Sequence, residues 1–234
     1  MEEKKIQIGM LIFPKMTQLD FTGPFEALAR LPNAQVHVVS KTKEPVTSDT
    51  GLSFLPTLTI ADCPPLDVIC VPGGPGQIEL MDDEEVIGFV RTMGGKAKYV
   101  TSVCTGALVL GAAGLLDGYE AATHWMSADQ LPLFGAKPVG KRIVVDRNRI
   151  TGGGVTAGID FGLYLAGQLG GEDAASRIQL FLEYDPAPPF NSGSPGSAPA
   201  RVVQGVRESA ANMLERRWAA SRRAAEKLRR TRAP

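Results

Sequence analysis

Cys104 stands where a β-branched run meets a run of small residues, and this position favours nucleophilic chemistry. The segment Tyr99–Val103 is typical of a buried strand, and Thr105-Gly106-Ala107 begins a predicted helix. A thiol at a helix start meets unpaired N–H groups and partial positive charge, and both favour the thiolate, the reactive form of cysteine. Gly106 lets the strand and the helix approach closely. The alternative is a buried structural cysteine, because free cysteine is among the most buried residue types.

Asp20 is the candidate proton donor. It follows the first apolar run and lies among Leu19, Phe21 and Phe25. Partial desolvation by these side chains is expected to raise the pKa of the carboxyl group and make it a usable acid. The alternative is that Asp20 caps the helix that follows, since aspartate is a favoured N-cap residue.

Two further polar side chains are candidates for the same site. The Thr105 hydroxyl, directly after Cys104, is placed to donate to a substrate or hold a water, or Thr105 is simply the first residue of the helix. His124 ends a short predicted strand, Ala121-Ala122-Thr123, and a dyad with Cys104 is one interpretation. A lone histidine beside an aromatic residue is more often structural, so His124 ranks below Asp20.

A glycine-rich segment, Gly73-Gly74-Pro75-Gly76, directly follows a third apolar run. We expect Gly74, Pro75 and Gly76 to bind substrate, because glycine lets the backbone approach a ligand and direct N–H groups at developing negative charge. A tight turn is the alternative. The segment lacks the Lys-Ser/Thr end of a P-loop, and no Gly-x-Gly-x-x-Gly follows a strand, so no dinucleotide cofactor is expected.

The elements that must position these residues alternate between strands and helices. Strands are predicted at 6–13, 35–40, 67–72 and 99–103, with an antiparallel excursion within 41–60 and a hairpin at 143–151. Helices are predicted from about Pro24 to Leu31 and at 84–92, 156–169 and 173–182. This alternation predicts an α/β fold with a mostly parallel sheet. Ligand sites in such sheets lie beyond the carboxyl ends of the strands, where Asp20, Gly73 and Cys104 are all expected.

Charge is distributed unevenly along the 234 residues. The net charge is zero, but residues 201–234 contain ten Lys/Arg and three Glu, so the rest of the chain is acidic. We predict an α/β domain over 1–184, a Pro/Ser/Gly-rich linker over 185–199 and a basic helical tail over 200–234. One long helix is expected from Ala200 to about Arg230.

The composition excludes several classes of protein. The chain is 44% hydrophobic and 21% charged, which is typical of a globular protein. Cys63, Cys70 and Cys104 form no Cys-x-x-Cys pair, and two histidines are too few for a usual zinc site, so no metal is expected. No signal peptide or membrane-spanning stretch is evident. These features predict a reduced, cytoplasmic protein.

Five motifs, in order, resemble the DJ-1/PfpI superfamily of class I amidotransferase-like proteins. The motifs are Phe13-Pro14, Leu19-Asp20-x-x-Gly23-Pro24, Val71-Pro72-Gly73-Gly74, Val103-Cys104-Thr105-Gly106 and Thr123-His124-Trp125. The resemblance covers the chain from Ile6 to about Phe181. It implies a flavodoxin-like sandwich with a central, mostly parallel sheet, and a homodimer.

Within this superfamily, Asp20 and the Cys-Thr-Gly motif are similar to the members that hydrate isonitriles. The resemblance then implies conversion of R–N≡C to an N-substituted formamide without a cofactor, with Cys104 as nucleophile, Asp20 as acid/base and Thr105 as supporting hydroxyl. Peptidase members carry His directly after the cysteine, so Thr105 argues against peptidase activity. A neutral isonitrile needs no charged clamp, in agreement with the lack of basic residues around the motifs.

Two other functions remain open on the sequence. The same motifs resemble the N-terminal domain of AraC-type transcription factors, a non-enzymatic regulator. The tail has room for one long helix rather than a compact helix-turn-helix, so binding of nucleic acid is not expected, nor is membrane binding. A redox or stress-sensing role is the other alternative, with Cys104 oxidised as in DJ-1-like relatives.

Overall fold

The computed structural model describes residues 5–232, in which helices cover a central sheet. The strands are β1 (Ile6–Leu11), β2 (Ala34–Ser40), β3 (Val46–Thr47), β4 (Ser53–Phe54), β5 (Leu58–Thr59), β6 (Val68–Val71), β7 (Tyr99–Val103), β8 (Glu120–Ala121), β9 (Lys137–Pro138), β10 (Ile143–Asp146) and β11 (Arg149–Gly152). The helices are α1 (Gln18–Leu28), α2 (Gln77–Leu80), α3 (Glu84–Gly94), α4 (Gly106–Ala112), α5 (Ala157–Gly170), α6 (Glu172–Phe181), α7 (Ala200–Ser209) and α8 (Ala211–Arg232). A 3₁₀ helix spans Trp125–Phe134.

The main sheet has seven strands in the order β10-β11-β7-β6-β1-β2-β5. Neighbouring strands are parallel except for the β10–β11 hairpin, where Ile143 pairs with Gly152. All four residues of β6 are buried, as expected for a central parallel strand covered on both faces. The prediction of an α/β fold with a mostly parallel sheet is therefore confirmed. Within 41–60, β3 and β4 pair antiparallel as predicted, whereas β5 joins the main sheet parallel to β2.

The helices form two packed groups. Helices α1, α5 and α6 contact one another, and α2, α3, α4, α8 and the 3₁₀ helix are linked by a second set of contacts. The second group includes the C-terminal helix, whose residues Ala220, Ala224 and Leu228 belong to the same buried core as the sheet. The tail thus packs on the α/β layers, and the predicted division into a domain over 1–184, a linker over 185–199 and a tail over 200–234 stays a prediction.

Two predicted helix boundaries were wrong. Helix α1 begins at Gln18 rather than near Pro24, which lies inside the helix. Pro24 removes one N–H donor from the helix. The helix nevertheless begins before it, at a position set by a hydrogen bond from outside the helix: the N–H of the N-cap residue Thr17 donates to the Gly73 carbonyl (2.9 Å). The tail forms two helices divided at Ala210 instead of one long helix. None of the residues of α7 is buried, whereas α8 packs on the core, so the chain turns between them.

Candidate active site

Three loops meet beyond the carboxyl ends of the neighbouring strands β1, β6 and β7. The loop after β1 is tied to the loop after β6, since the Gly76 N–H donates to the Lys15 carbonyl (3.0 Å). The turn after β7 carries Cys104. The convergence predicted for Asp20, Gly73 and Cys104 is thus present in the fold.

Cys104 occupies a strained turn between β7 and α4. Its φ angle is 55°, in the left-handed region that residues with side chains rarely adopt. The turn is held on both sides: the Cys104 N–H donates to the Gly152 carbonyl (3.1 Å), and Thr123 Oγ1 donates to the Cys104 carbonyl (2.8 Å). A Cβ atom at Gly106 would overlap the Val71 carbonyl, so glycine is required where α4 crosses β6. Strain at a single position of a fold is often found at active sites.

Asp20 is fully buried and faces Gly73 rather than capping its own helix. Thr17 holds the N-cap position of α1. The Gly73 N–H donates to Asp20 Oδ2 (2.9 Å), and within residues 5–232 Oδ1 has no hydrogen-bond partner of standard geometry. A Cβ atom on Gly73 would lie 2.5 Å from the Thr105 nitrogen and 3.0 Å from Asp20 Oδ2. The absence of a side chain at Gly73 therefore lets the carboxyl group approach the turn.

Burial raises the pKa of Asp20 to about 7. The hydrogen bond from Gly73 and the interaction with the Cys104 thiol lower this pKa, but less than burial raises it, and the charge of Asp49 raises it further. A carboxyl group with a pKa near neutral exchanges its proton readily at neutral pH. The acid predicted from the apolar neighbours of Asp20 is consistent with this environment.

The pKa of the Cys104 thiol differs from the expectation based on the helix start. Burial raises it well above its usual value, and the negative charge of Asp20 raises it further. The Thr105 N–H and the Arg217 guanidinium lower the pKa of the thiol, as a helix start should, but they do not overcome burial. The resting group is therefore a thiol beside a titrating carboxyl group, and the thiolate forms only as the proton leaves.

Thr105 and the glycine-rich segment form one buried unit. Thr105 is 1% exposed, and its Oγ1 accepts a hydrogen bond from the Gly74 N–H (3.0 Å). Gly74 and Gly76 are buried and Pro75 is partly exposed. The Thr105 hydroxyl thus fixes the loop that borders the Cys104 turn. Substrate binding by Gly74, Pro75 and Gly76 stays a prediction.

His124 does not pair with Cys104 in the described geometry. Its Nδ1 accepts a hydrogen bond from the Met126 N–H (3.4 Å) at the start of the 3₁₀ helix. Burial and the positive charge of Arg217 lower the pKa of His124, so the neutral ring is favoured. This geometry fits the structural interpretation of His124, and its part in substrate binding stays a prediction.

Sequence reasoning missed Arg217, which α8 brings close to the site. The side chain is 3% exposed and donates to Gln77 Oε1 (2.9 Å) and Ser127 Oγ (3.1 Å). It lowers the pKa of Cys104. The expectation that no basic residue lies near the motifs is wrong, because chain neighbours alone were considered. No motif marks Arg217 among the many arginines of the tail, whereas Gln77 directly follows one segment that was singled out and Ser127 lies two residues after another.

The described residues offer no candidate metal centre and no candidate membrane span. No group of three or more His, Cys, Asp or Glu side chains in residues 5–232 has the arrangement of a metal site. Over the same range, none of the helices is both long and apolar enough to cross a bilayer.

A strained cysteine on a strand–turn–helix, beside a buried carboxyl group, defines the class of protein. The chain belongs to the DJ-1/PfpI family, which matches residues 6–168. Its fold is shared with a THiJ/PfpI family protein from Pseudomonas syringae, whose crystal structure has a TM-score of 0.91 at 46% identity over 93% of this chain and 90% of that one.

Two curated relatives bear on function. The chain is 58% identical to an isonitrile hydratase of Pseudomonas putida over 95% of this chain and 98% of the relative. It is 29% identical to the HTH-type transcriptional regulator GbdR of Pseudomonas aeruginosa over 76% of this chain, but it spans only about half of the length of that regulator (50%).

Proposed function

We propose that this protein is an isonitrile hydratase, a hydro-lyase that adds water to R–N≡C and releases an N-substituted formamide. The observation that carries the proposal is the pair formed by Cys104 and Asp20, in a chain that is 58% identical over nearly its full length to an isonitrile hydratase. The substrate is a small neutral molecule, which suits an enclosed site where Cys104 is 5% exposed.

In the first step Cys104 attacks the isonitrile carbon, and Asp20 transfers the proton of the thiol to that carbon. The S–H bond breaks and the proton passes to the Asp20 carboxylate, which a pKa of about 7 leaves partly ionised near neutral pH. Asp20 then protonates the terminal carbon of the isonitrile while the sulfur bonds to that same carbon. The product is a thioimidate, R–N=CH–S–Cys104, and the site has gained no net charge.

Water completes the reaction in the second step. Asp20, again ionised, accepts a proton from a water that attacks the thioimidate carbon. Asp20 passes that proton to the nitrogen, the C–S bond breaks as the hydroxyl group becomes the formyl carbonyl, and the sulfur takes the hydroxyl proton, so the thiol is restored and R–NH–CHO leaves. The Thr105 N–H directly follows Cys104 and lowers the pKa of its thiol, and we assign it the stabilisation of charge in the intermediate.

The regulator alternative has less support. In a DNA-binding tail, the basic side chains of α8 would be free to meet phosphate. Here three of them pair with acidic side chains of the same chain: Arg216 with Glu79 (2.6 Å), Arg223 with Asp82 (2.6 Å) and Lys227 with Glu84. A gel shift with duplex DNA at low salt tests this alternative, and salt-dependent binding would revive it.

We also propose that the enzyme is a homodimer that works in the cytoplasm. Leu180, Phe181 and Phe190 are 79%, 69% and 80% exposed, as expected of apolar side chains that a second subunit covers. The three cysteines are unpaired, which a reducing compartment maintains. Light scattering in solution and cell fractionation test these two statements.

Turnover of cyclohexyl isocyanide tests the proposed function. We expect the protein to release N-cyclohexylformamide, and Cys104→Ala to lower kcat by at least about 10³-fold, as loss of a nucleophile does. Cys63→Ala is the matched control, because Cys63 is half-buried in the loop before β6 and should retain full activity. Formamide release by folded Cys104→Ala at the unmodified rate would contradict the proposal, as would a wild-type protein without turnover.

A further inference from the structure

Arg217 differs from the arginines around it on α8. It is 3% exposed, whereas the adjacent Arg216 lies at the surface and pairs with Glu79. Two neighbouring residues of one type thus occupy opposite environments on the same helix. The surroundings of Arg217 must therefore explain why its charged guanidinium is buried.

The hydrogen-bond partners of Arg217 are uncharged within the described chain. Its Nε donates to Gln77 Oε1 (2.9 Å), one terminal nitrogen to Ser127 Oγ (3.1 Å) and the other to Met213 Sδ (3.6 Å). No carboxylate of residues 5–232 lies within ion-pair distance. Burying a guanidinium without an anion is unfavourable, because neutral partners replace only part of its hydration. The arrangement therefore favours an anion in the region that Arg217 faces.

Two of the three partners of Arg217 lie on the segments that border the Cys104 turn. Gln77 directly follows the Gly73–Gly76 loop, whose Gly74 is bonded to Thr105. Ser127 lies in the 3₁₀ helix that begins at Trp125. Two residues before this helix, the Thr123 hydroxyl donates to the Cys104 carbonyl. Arg217 thus joins the two flanks of the cysteine turn.

We infer that Arg217 is a positioning residue of the Cys104 site, which stabilises the negative charge on the sulfur while the thiol transfers its proton and attacks. The inference rests on the proposed function for the identity of the electrophile, the isonitrile carbon. As the S–H bond breaks, its proton goes to Asp20, and the guanidinium balances the sulfur anion until the C–S bond forms. The C-terminal tail accordingly supplies part of the active centre.

The electrostatics of the site agree with this geometry. Arg217 lowers the pKa of Cys104, and the sulfur in turn raises the pKa of Arg217 against the lowering effect of burial. Asp20 on α1 acts in the opposite direction on the thiol. Within residues 5–232, the other charged or titratable groups that interact with this cluster are Asp49 in the loop between β3 and β4, Cys70 on β6 and His124 before the 3₁₀ helix.

Arg217 lies beyond the part of the chain that matches the family, which ends at residue 168. The cation is therefore supplied by the C-terminal extension and not by the matched core. This position gives the tail a role that its basic composition alone did not indicate.

The pH dependence of Cys104 alkylation tests the inference without isonitrile. Iodoacetamide modification is followed by mass spectrometry of the peptide that contains Cys104, in wild type, Arg217→Gln, Arg217→Lys and Arg216→Gln. We expect Arg217→Gln to raise the apparent pKa of Cys104 by about one unit and to slow alkylation near pH 8 by about tenfold. Arg217→Lys, which keeps the charge, should restore most of the rate. Arg216→Gln should match wild type.

Turnover separates the two proposals. If the hydratase function holds, kcat for cyclohexyl isocyanide falls at least tenfold in Arg217→Gln, with a smaller change in KM. If wild type shows no turnover but its alkylation profile shifts in Arg217→Gln, the hydratase proposal fails and the role of Arg217 toward the sulfur stands.

An unchanged alkylation profile in folded Arg217→Gln would overturn the inference, as would Arg217→Lys behaving like Arg217→Gln. Should Arg217→Gln fail to fold, Arg217→Met provides the same neutral comparison, because an apolar side chain removes the cost of burying the charge.

Discussion

At the scale of single residues, the site depends on a carboxyl group that burial keeps partly protonated. Asp20 is fully buried, and its pKa of about 7 results from desolvation that the Gly73 N–H and the Cys104 thiol only partly offset. The same burial raises the pKa of the Cys104 thiol. A thiol and a carboxyl group that both resist ionisation favour transfer of a proton between them over its release to water.

This raised pKa predicts a dependence of stability on pH. The ordinary pKa of 3.8 applies to Asp20 in the unfolded chain, and about 7 applies in the fold. Between these values the unfolded chain releases the proton while the folded protein keeps it, so the contribution of Asp20 to stability is present below pH 4 and lost as pH rises toward 7. Asn cannot ionise, so Asp20→Asn does not lose this stability as pH rises. The free energy of unfolding of Asp20→Asn minus that of wild type should therefore increase by up to about 4 kcal/mol between pH 4 and pH 7.

Urea denaturation at pH 4.5 and 7.5 measures this difference. Asp185→Asn, an exposed site on the loop after α6, is the matched control and should follow wild type. Parallel pH dependence of Asp20→Asn and wild type would show that the carboxyl group titrates normally.

At the scale of elements, the β7–turn–α4 unit sets the position of the sulfur. Cys104 adopts a left-handed φ at the turn between β7 and α4. Helix α4 begins so close to the Val71 carbonyl of β6 that only glycine fits at position 106. The sequence pattern predicted this unit well, because a β-branched strand, a cysteine and a glycine are local signals. The start of α1 was mispredicted because it depends on a hydrogen bond from the Thr17 N–H to the Gly73 carbonyl, which joins two loops that are distant in sequence.

Gly106→Ala tests this packing. The added methyl group would meet the Val71 carbonyl, a backbone group that cannot move aside, so we expect a loss of at least about 2 kcal/mol in stability and a matching loss of turnover. Gly88→Ala on α3 is the control, because its Cβ would meet nothing within 4 Å and alanine favours the helix. Thermal and urea unfolding measure both variants, and equal stabilities would contradict the account of the turn.

At the scale of the whole molecule, the opposite charges of the tail and the rest of the chain are brought together. Helix α8 pairs its basic side chains with Glu79, Asp82 and Glu84, and it packs Ala220 and Ala224 on the core. Exposed ion pairs of this kind contribute little individually, so the buried face of α8 must account for most of its attachment.

The contribution of the tail could not be predicted from sequence. The charge asymmetry was evident, but it did not distinguish Arg217 from Arg216, and Arg217 lies 140 residues from Gln77. Which of two adjacent arginines turns inward depends on how α8 docks, and that is decided by tertiary packing. The placement of Asp20, Cys104 and Thr105 at one edge of the sheet could be predicted because each follows a strand of a parallel sheet, a rule that chain order alone supplies. Their catalytic roles stay a prediction.

The most direct test of the account is the detection of an isonitrile bonded to Cys104. Rapid acid quenching of the protein during turnover of cyclohexyl isocyanide, followed by mass spectrometry of its peptides, measures this bond. We expect an increase equal to the mass of the isonitrile on the peptide that contains Cys104 and on no other cysteine peptide. Formamide production with Cys104 unmodified at every quench time, or with the added mass on Cys63, would contradict it.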